Sequence, residues 1–555
     1  MYWLGCLAVQ CCDILVFGAE WISISRIGWI GLMDWLDLIN TTESPAKDRG
    51  EPLYVQILNR MRDWIESGKL PENSKLPTNR ELAGILNVDR STIARAYSEL
   101  SQLGMIDSHV GRGTFVRSTK TKNASMTAAG TISWNDRFSR SSQTAFDIMA
   151  KQSPPGPITA DMISFGGGLP TEEFYPHSQF EQIVKDVLES GDSHSMFEYS
   201  PAEGHTLLRR EVLRHLAQEG IEANDDELLI VSGSQQAIDL VTNVFVDPGD
   251  AILLEDPSYF WAICNFRARQ ARCVPVSIDK HGVDLNALEH ALATHRAKLI
   301  YLMPSFQNPT GATISLDRRL RILELAQQYS VPILEDNFVG DLRYDGEKLP
   351  TLRALPGGRN HVIHQGTFSK ALCPGLRLGW LIAPPEVLSR LLLAKRVSDL
   401  STNSMAQITL ARYLSAGLYG DHLDKVRQAY KQRRDTMLGA LNKWFHPLGQ
   451  GRDPHWSTPE GGLFIWLTLP ARLSARELLR FAEKEGVTFS SGDLFFLTGD
   501  RKEYVRLCFI QTAEPVIEEG IRRLSLAYEK YLQTLAPVGA SKYGAMARTR
   551  DQVLI

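Results

Sequence analysis

A chain of 555 residues has room for roughly three to four domain-sized units. Its 43% hydrophobic and 22% charged content is ordinary for a soluble globular protein, and a net charge of −4 gives no global argument for nucleic-acid binding. The seven cysteines, Cys6, Cys11, Cys12, Cys264, Cys273, Cys373 and Cys508, are too scattered for a disulfide framework and lack zinc-ligand spacing. Free thiols in the reducing cytoplasm, and no metal, are the expectation.

The first 40 residues are rich in Trp, Ile, Leu and Cys and carry no basic residue before Arg26. Asp13 and Glu20 interrupt the apolar run, so no stretch reaches the ~18 apolar residues of a spanning helix. A secretory signal would open on basic residues, and this segment does not. Residues 1–50 therefore read as an extension outside the folded unit, with Met33 as a natural start. A membrane-associating segment and an extra packing helix are the alternatives.

From Glu51 the texture changes. Leu53, Ile57, Met61, Trp64 and Ile65 recur at helical spacing, with Pro52 suited to the first turn. A second, short helix follows Thr78, which is spaced with Glu81 as a capping box. A third runs from about Arg90 to Leu103, with Ile93, Tyr97 and Leu100 inward. Ile106 to Val116 reads as a hairpin with Gly111-Arg112-Gly113 at or near its tip. Three helices and a hairpin in this order describe a winged helix-turn-helix. The exposed side of the third helix carries Arg90, Ser91, Thr92 and Arg95, groups that reach phosphates and guanine edges. Residues 51–117 hold nine Lys/Arg against eight Asp/Glu, so charge alone favours a plain solvated face, and order and spacing carry the argument. Pro-Leu-Tyr-x-Gln-Ile, Leu-Pro-Thr-x-Arg-x-Leu-Ala and Gly-x-Gly-Thr-Phe-Val resemble the GntR family of bacterial regulators. The resemblance implies binding to a double-stranded DNA operator. It puts Arg80, Arg90, Ser91, Thr92 and the wing residues Gly111, Arg112 and Gly113 at the DNA, with Arg95 beside them.

Residues 118–160 have linker composition and end on Pro154-Pro155-Gly156-Pro157. From 161 to 534, short apolar runs alternate with helical patterns: 228–232, 251–255, 299–303, 332–335, 362–366 and 379–383. That alternation predicts an α/β unit with a mainly parallel sheet, followed from about 385 by a smaller α+β subdomain. Residues 535–555 read as a tail.

Five stretches in this unit carry chemistry. Lys370 follows Thr367 and Ser369 and precedes Arg377. An amine beside hydroxyls and a guanidinium suits a cofactor that has both an aldehyde and a phosphate, namely pyridoxal 5′-phosphate (PLP). Ser232-Gly233-Ser234-Gln235 follows a strand and opens a helix, where backbone N–H groups bind phosphate. Tyr259 is placed to stack on a ring, and Asn308, in a Pro-bounded turn, to donate to the ring oxygen. Asp336, at a strand end, can pair with a protonated pyridine nitrogen. Each has a bland reading as a turn or core residue. Together, at strand C-termini where α/β ligands bind, they do not.

The set resembles the fold-type I PLP enzymes of the aspartate aminotransferase family. That resemblance implies three further roles. Tyr199 reaches into the neighbouring subunit's site, Arg506 clamps an α-carboxylate, and the loop around Gly168 closes over substrate. One departure stands out. Relatives carry a tyrosine two or three residues after the aspartate, to bond the ring oxygen, and here those positions are Phe338 and Val339. A GntR winged helix, a linker and an aminotransferase-like domain in one chain resemble the MocR subfamily of regulators. This implies a head-to-tail homodimer that senses an amine or amino acid through Lys370. A working aminotransferase is the second reading, and a membrane-tethered regulator the third.

Overall fold

The structure is a computed structural model. It describes residues 52–71, 74–109, 113–117, 132–150, 161–191, 193–445, 453–498 and 501–535. The chain divides into two compact units, Met1–Ser133 and Trp134–Ile555.

In the first unit, helices span Leu53–Glu66, Asn79–Leu86 and Arg90–Gln102, and strands are β1 (Lys75–Leu76), β2 (Ile106–His109) and β3 (Gly113–Val116). The predicted hairpin is β2–β3, and β1 adds a third antiparallel strand on β3. Pro52 sits one residue outside the first helix, as its N-cap. The predicted capping box is formed: Thr78 N donates to Glu81 at 2.8 Å, and Glu81 N to Thr78 Oγ1 at 3.3 Å. Asp89 caps the third helix by accepting from Ser91 N at 2.7 Å. Tyr97 Oη donates to Pro77 O at 2.9 Å and so ties that helix to the preceding turn. Ile93, Ala96 and Leu100 are fully buried against Ile57, Met61 and Trp64. Leu100→Ala is expected to cost about 2–5 kcal/mol. Calorimetry should show the first unit's transition falling while that of the second holds.

The second unit holds two sheets. The larger comprises β5 (Leu228–Val231), β6 (Ala251–Asp256), β7 (Arg272–Asp279), β8 (Gly282–Val283), β9 (Ala297–Leu302), β10 (Ile333–Asn337), β11 (Val362–Thr367) and β12 (Gly379–Ile382). Their order is β5-β12-β11-β10-β9-β6-β7-β8, and β7, β6, β9, β10 and β11 run parallel. β6 and β9, inside the sheet, are buried on both faces, which is why they read as near-continuous apolar runs, and β5 at the edge is covered as well. β7 has an alternating exposed and buried pattern, so no apolar run marked it in the sequence. Helices pack on the sheet, among them Ser234–Phe245 and Pro385–Asp399, which touch each other.

The smaller sheet comprises β4 (Ile163–Phe165), β13 (His455–Trp456), β14 (Phe464–Thr468), β15 (Val487–Ser491) and β16 (Tyr504–Cys508), in the order β13-β14-β16-β15-β4. Two expectations need correction. The small subdomain does not begin at residue 385. The Pro385–Asp399 helix packs on the large subdomain, and β4, far upstream, pairs in parallel with β15. Nor is 118–160 linker throughout. Arg140–Ala150 is a helix packed on the helix Phe260–Ala268. Its sequence is polar enough to pass for a linker. Of its three large apolar residues, Phe146 and Met149 are exposed and Ile148 is half-buried. Residues 1–50, the stretches 118–131 and 151–160, and 536–555 lie outside the described residues.

Candidate functional site

The predicted site residues converge at the C-terminal ends of the parallel strands. β10 ends beside Asp336, which is buried at 2% exposure. Tyr301 Oη donates to Asp336 Oδ2 at 2.6 Å, while Oδ1 is buried without a hydrogen-bond partner. Burial pushes this carboxyl up to about 6. A cation at Oδ1 would satisfy the orphaned oxygen and restore the charge. That is the environment a pyridinium N–H requires, so the residues fit PLP.

Lys370 lies just beyond β11. Its Nζ donates to Gly168 O at 2.9 Å, and burial holds the amine below the ordinary lysine value. A larger neutral fraction makes it a better nucleophile toward an aldehyde. Thr367 Oγ1 lies 3.0 Å from Ser369 Oγ and accepts from Ser369 N at 3.2 Å. Gly233 precedes the helix Ser234–Phe245 at φ +84°, and a Cβ there would stand 2.7 Å from Arg377 Nη2. Glycine thus serves both the positive-φ turn and the approach of the guanidinium. Arg377 Nη2 donates to Ser232 O at 3.2 Å. Of the predicted phosphate residues, Ser234 lines the cavity; Arg377 reaches it through Ser232, Thr367 and Ser369 bond each other beside Lys370, and Gln235 follows Ser234 in the first turn of the helix, whose N–H groups suit a phosphate.

At the other end, Arg506 Nη1 donates to Asn308 Oδ1 at 3.0 Å. This leaves the Asn308 amide nitrogen as the donor for a ring oxygen. Arg506 Nη2 reaches Gly166 O at 2.8 Å, Gly167 O at 2.9 Å and Ser490 Oγ at 3.1 Å. Its guanidinium lies 4.1 Å from the Phe464 ring centroid and 4.7 Å from that of Phe495. Nε is buried without a partner, and burial brings the group down to about 10. A cavity of about 390 Å³ joins Lys370, Asp336, Asn308, Tyr259, Ser234, Gly168 and Arg506. Leu169, Phe260, Trp261, Phe464, Leu494 and Phe495 complete its wall. Phe338 lines it without a hydroxyl, and Val339 is buried in the core. Tyr199 does not line its own chain's cavity and is 82% exposed.

The sequence reading missed Tyr301 and the aromatic wall. Tyr301 had a usable signal, because a phenol inside a buried strand needs a partner. Leu334 of β10 is its register mate, two residues before Asp336.

On the winged unit, Arg80, Arg90 and Ser91 are exposed and Thr92 half-buried. Arg95 is exposed but stacks its guanidinium over Tyr54 at 3.9 Å, so it is tied to the first helix. Gly113 opens β3 at φ +108°. Gly111 and Arg112 lie outside the described residues.

Comparison with known proteins agrees with both halves. The model "Aminotransferase class I and II" matches residues 161–524, and "Bacterial regulatory proteins, gntR family" matches 53–116. The crystal structure of LysN, an alpha-aminoadipate aminotransferase from Thermus thermophilus complexed with N-(5′-phosphopyridoxyl)-L-leucine, is 34% identical. It covers 73% of this chain and 100% of its own, with a TM-score of 0.67. The uncharacterized HTH-type transcriptional regulator YisV of Bacillus subtilis is 30% identical over 86% of this chain and 96% of its own. The probable rhizopine catabolism regulatory protein MocR of Rhizobium meliloti is 27% identical over 87% and 95%.

Fold and site together define a fold-type I aminotransferase domain of a PLP-dependent class, joined to a GntR winged helix-turn-helix. The chain belongs to the aminotransferase class I and II family, and its architecture is that of the MocR subfamily of transcription regulators. Among the described residues, no helix is long and apolar enough to cross a membrane.

Proposed function

We propose that this regulator works in the cytoplasm as a head-to-tail homodimer, binds PLP at Lys370 and senses an amino acid with a large neutral side chain. The observation that carries the reading is the buried, partnerless Asp336 Oδ1 in a cavity that also holds Lys370 and Arg506. When bound, PLP supplies an aldehyde that an amine can capture and a cationic ring that draws electrons from the ligand. Asp336 holds the ring's charge, Asn308 donates to its oxygen, and Tyr259 covers its face. Arg506 takes the ligand's carboxylate. Tyr199 serves the neighbouring subunit's site.

The ligand class follows from the wall. Beyond Arg506, the far end is Leu169, Phe260, Trp261, Leu494 and Phe495, which fits an apolar or aromatic side chain. Among the described residues of one chain, Lys370 and Arg506 are the cations lining the cavity. Arg80, Arg90, Ser91, Thr92 and Arg95, with the wing Gly111–Gly113, meet the operator. With PLP held there, a ligand amine would compete with Lys370 for its aldehyde, and the freed Lys370 would bias the linker-borne winged helices toward one arrangement on their half-sites.

The second reading is a working aminotransferase, favoured by the presence of Lys370, Asp336, Asn308 and Arg506 together. Footprinting on DNA beside the protein's own gene, with phenylalanine, leucine, glutamate and 2-aminoadipate, separates the two. The regulator reading expects a specific footprint that phenylalanine or leucine shifts and the dicarboxylates do not, with negligible keto-acid formation. Rapid turnover without a specific footprint would sink it.

A further inference from the structure

Behind the turn read above as the phosphate cradle lies an ion pair, its lysine buried and its aspartate half-buried, that neither the sequence motifs nor the relatives' names assign. Lys395 is fully buried, and its Nζ donates to Asp399 Oδ1 at 2.8 Å. Both residues lie at the C-terminal end of the helix Pro385–Asp399. The second oxygen of Asp399, Oδ2, accepts from Gln236 Nε2 at 2.7 Å and from Ser232 Oγ at 3.3 Å. Gln236 Oε1 in turn accepts from Ser232 N at 2.7 Å. Ser232 is thus held through its N–H, its hydroxyl and its carbonyl, the last by Arg377. The segment so fixed is Ser232-Gly233-Ser234-Gln235, the turn read above as the phosphate cradle.

An acceptor is needed to orient the Ser232 hydroxyl and the Gln236 amide, and a carboxylate is the strongest one. Yet a carboxylate beside a phosphate site repels its ligand. Lys395 resolves the conflict. Its charge cancels that of Asp399 and leaves Arg377 as the net charge facing the phosphate.

We propose that Lys395 and Asp399 are positioning residues for the phosphate cradle: Asp399 sets its geometry, and Lys395 keeps that carboxylate from repelling the cofactor. This rests on the reading that PLP's phosphate sits at Ser232–Gln235. Any ion pair shows charge compensation, so the signature of a positioning role is damage confined to PLP, with pyridoxal unchanged. Removing the cation alone is damaging, and removing the anion as well repairs it.

The test uses the full chain stripped of cofactor and titrated with PLP, and separately with pyridoxal, which lacks the phosphate. The visible band of the lysine-bound cofactor gives the affinity. Lys395→Met is expected to weaken PLP about tenfold and to leave pyridoxal unchanged. Lys395→Met combined with Asp399→Asn is expected to recover most of the loss. If Lys395→Met does not fold, Lys395→Gln tests the same sign with a donor kept for Asp399. An equal loss for PLP and pyridoxal, or a double variant no better than the single one, overturns the proposal. If the unaltered protein binds PLP and pyridoxal equally, the phosphate reading itself fails and the proposal falls with it. If it prefers PLP but Lys395→Met does not weaken it, the reading stands and the pair's role is refuted.

Discussion

Lys370→Ala is expected to abolish covalent attachment of PLP and, with it, every response of operator binding to an amine. Among the described residues, Lys370 is the one lysine lining the cavity. Its Nζ donates to Gly168 O at 2.9 Å, within the Gly166–Gly168 loop that also lines the cavity. Alanine leaves no group to capture the aldehyde, and the visible band and the borohydride-fixed adduct should both disappear. The winged helix-turn-helix has its own buried core, so sequence-specific DNA binding should survive the change. That split is the informative part. A protein that loses DNA binding as well has been destabilised. One that keeps its band unchanged holds the cofactor elsewhere. A residual amine response without the band would mean that the sensing chemistry does not pass through Lys370.

Much of this site was legible because its chemistry is written in short, local stretches. Lys370, Thr367, Ser369 and Arg377 fall within eleven residues, and strand ends locate Asp336 and Tyr259. The β-strands that lead to them open on short apolar stretches, Ile252–Leu254, Ile333–Leu334 and Val362–Ile363, before turning polar at the site. What stayed hidden depends on contacts across the fold. Tyr301 reaches Asp336 from the neighbouring strand, and Asp399 reaches Ser232 from 167 positions away. Neither pairing leaves a local mark. The cavity wall was hidden for a related reason. Phe464 and Phe495 look like any core aromatics until the fold places both rings against Arg506. β4 was missed because three residues are too few for periodicity, and only its pairing with β15 reveals it. The helix Arg140–Ala150 went unread because two of its three large apolar residues face outward, so no buried stripe distinguished it from linker.

Arg506→Leu is expected to remove the preference for ligands that carry an α-carboxylate. Phenylalanine should lose about 100-fold in affinity, while 2-phenylethylamine, which lacks the carboxylate, should change little. The comparison matters because Arg506 also holds the protein together. Nη2 bonds the carbonyls of Gly166 and Gly167, and Nη1 fixes Asn308. Leucine leaves those acceptors unpaired, so some general weakening is expected, and only the ratio of the two ligands isolates the carboxylate contact. Arg506→Lys sharpens the point. It keeps the charge, but an ammonium cannot present two parallel N–H groups, so the ratio should fall to an intermediate value. Both ligands share the aromatic ring, so the wall of Leu169, Trp261 and Phe495 contributes equally to each and cancels. Equal losses for phenylalanine and 2-phenylethylamine would make Arg506 a brace for the Gly166–Gly168 loop alone. The sensed ligand would then be an amine chosen by its side chain, and the apolar wall would carry the whole of the specificity.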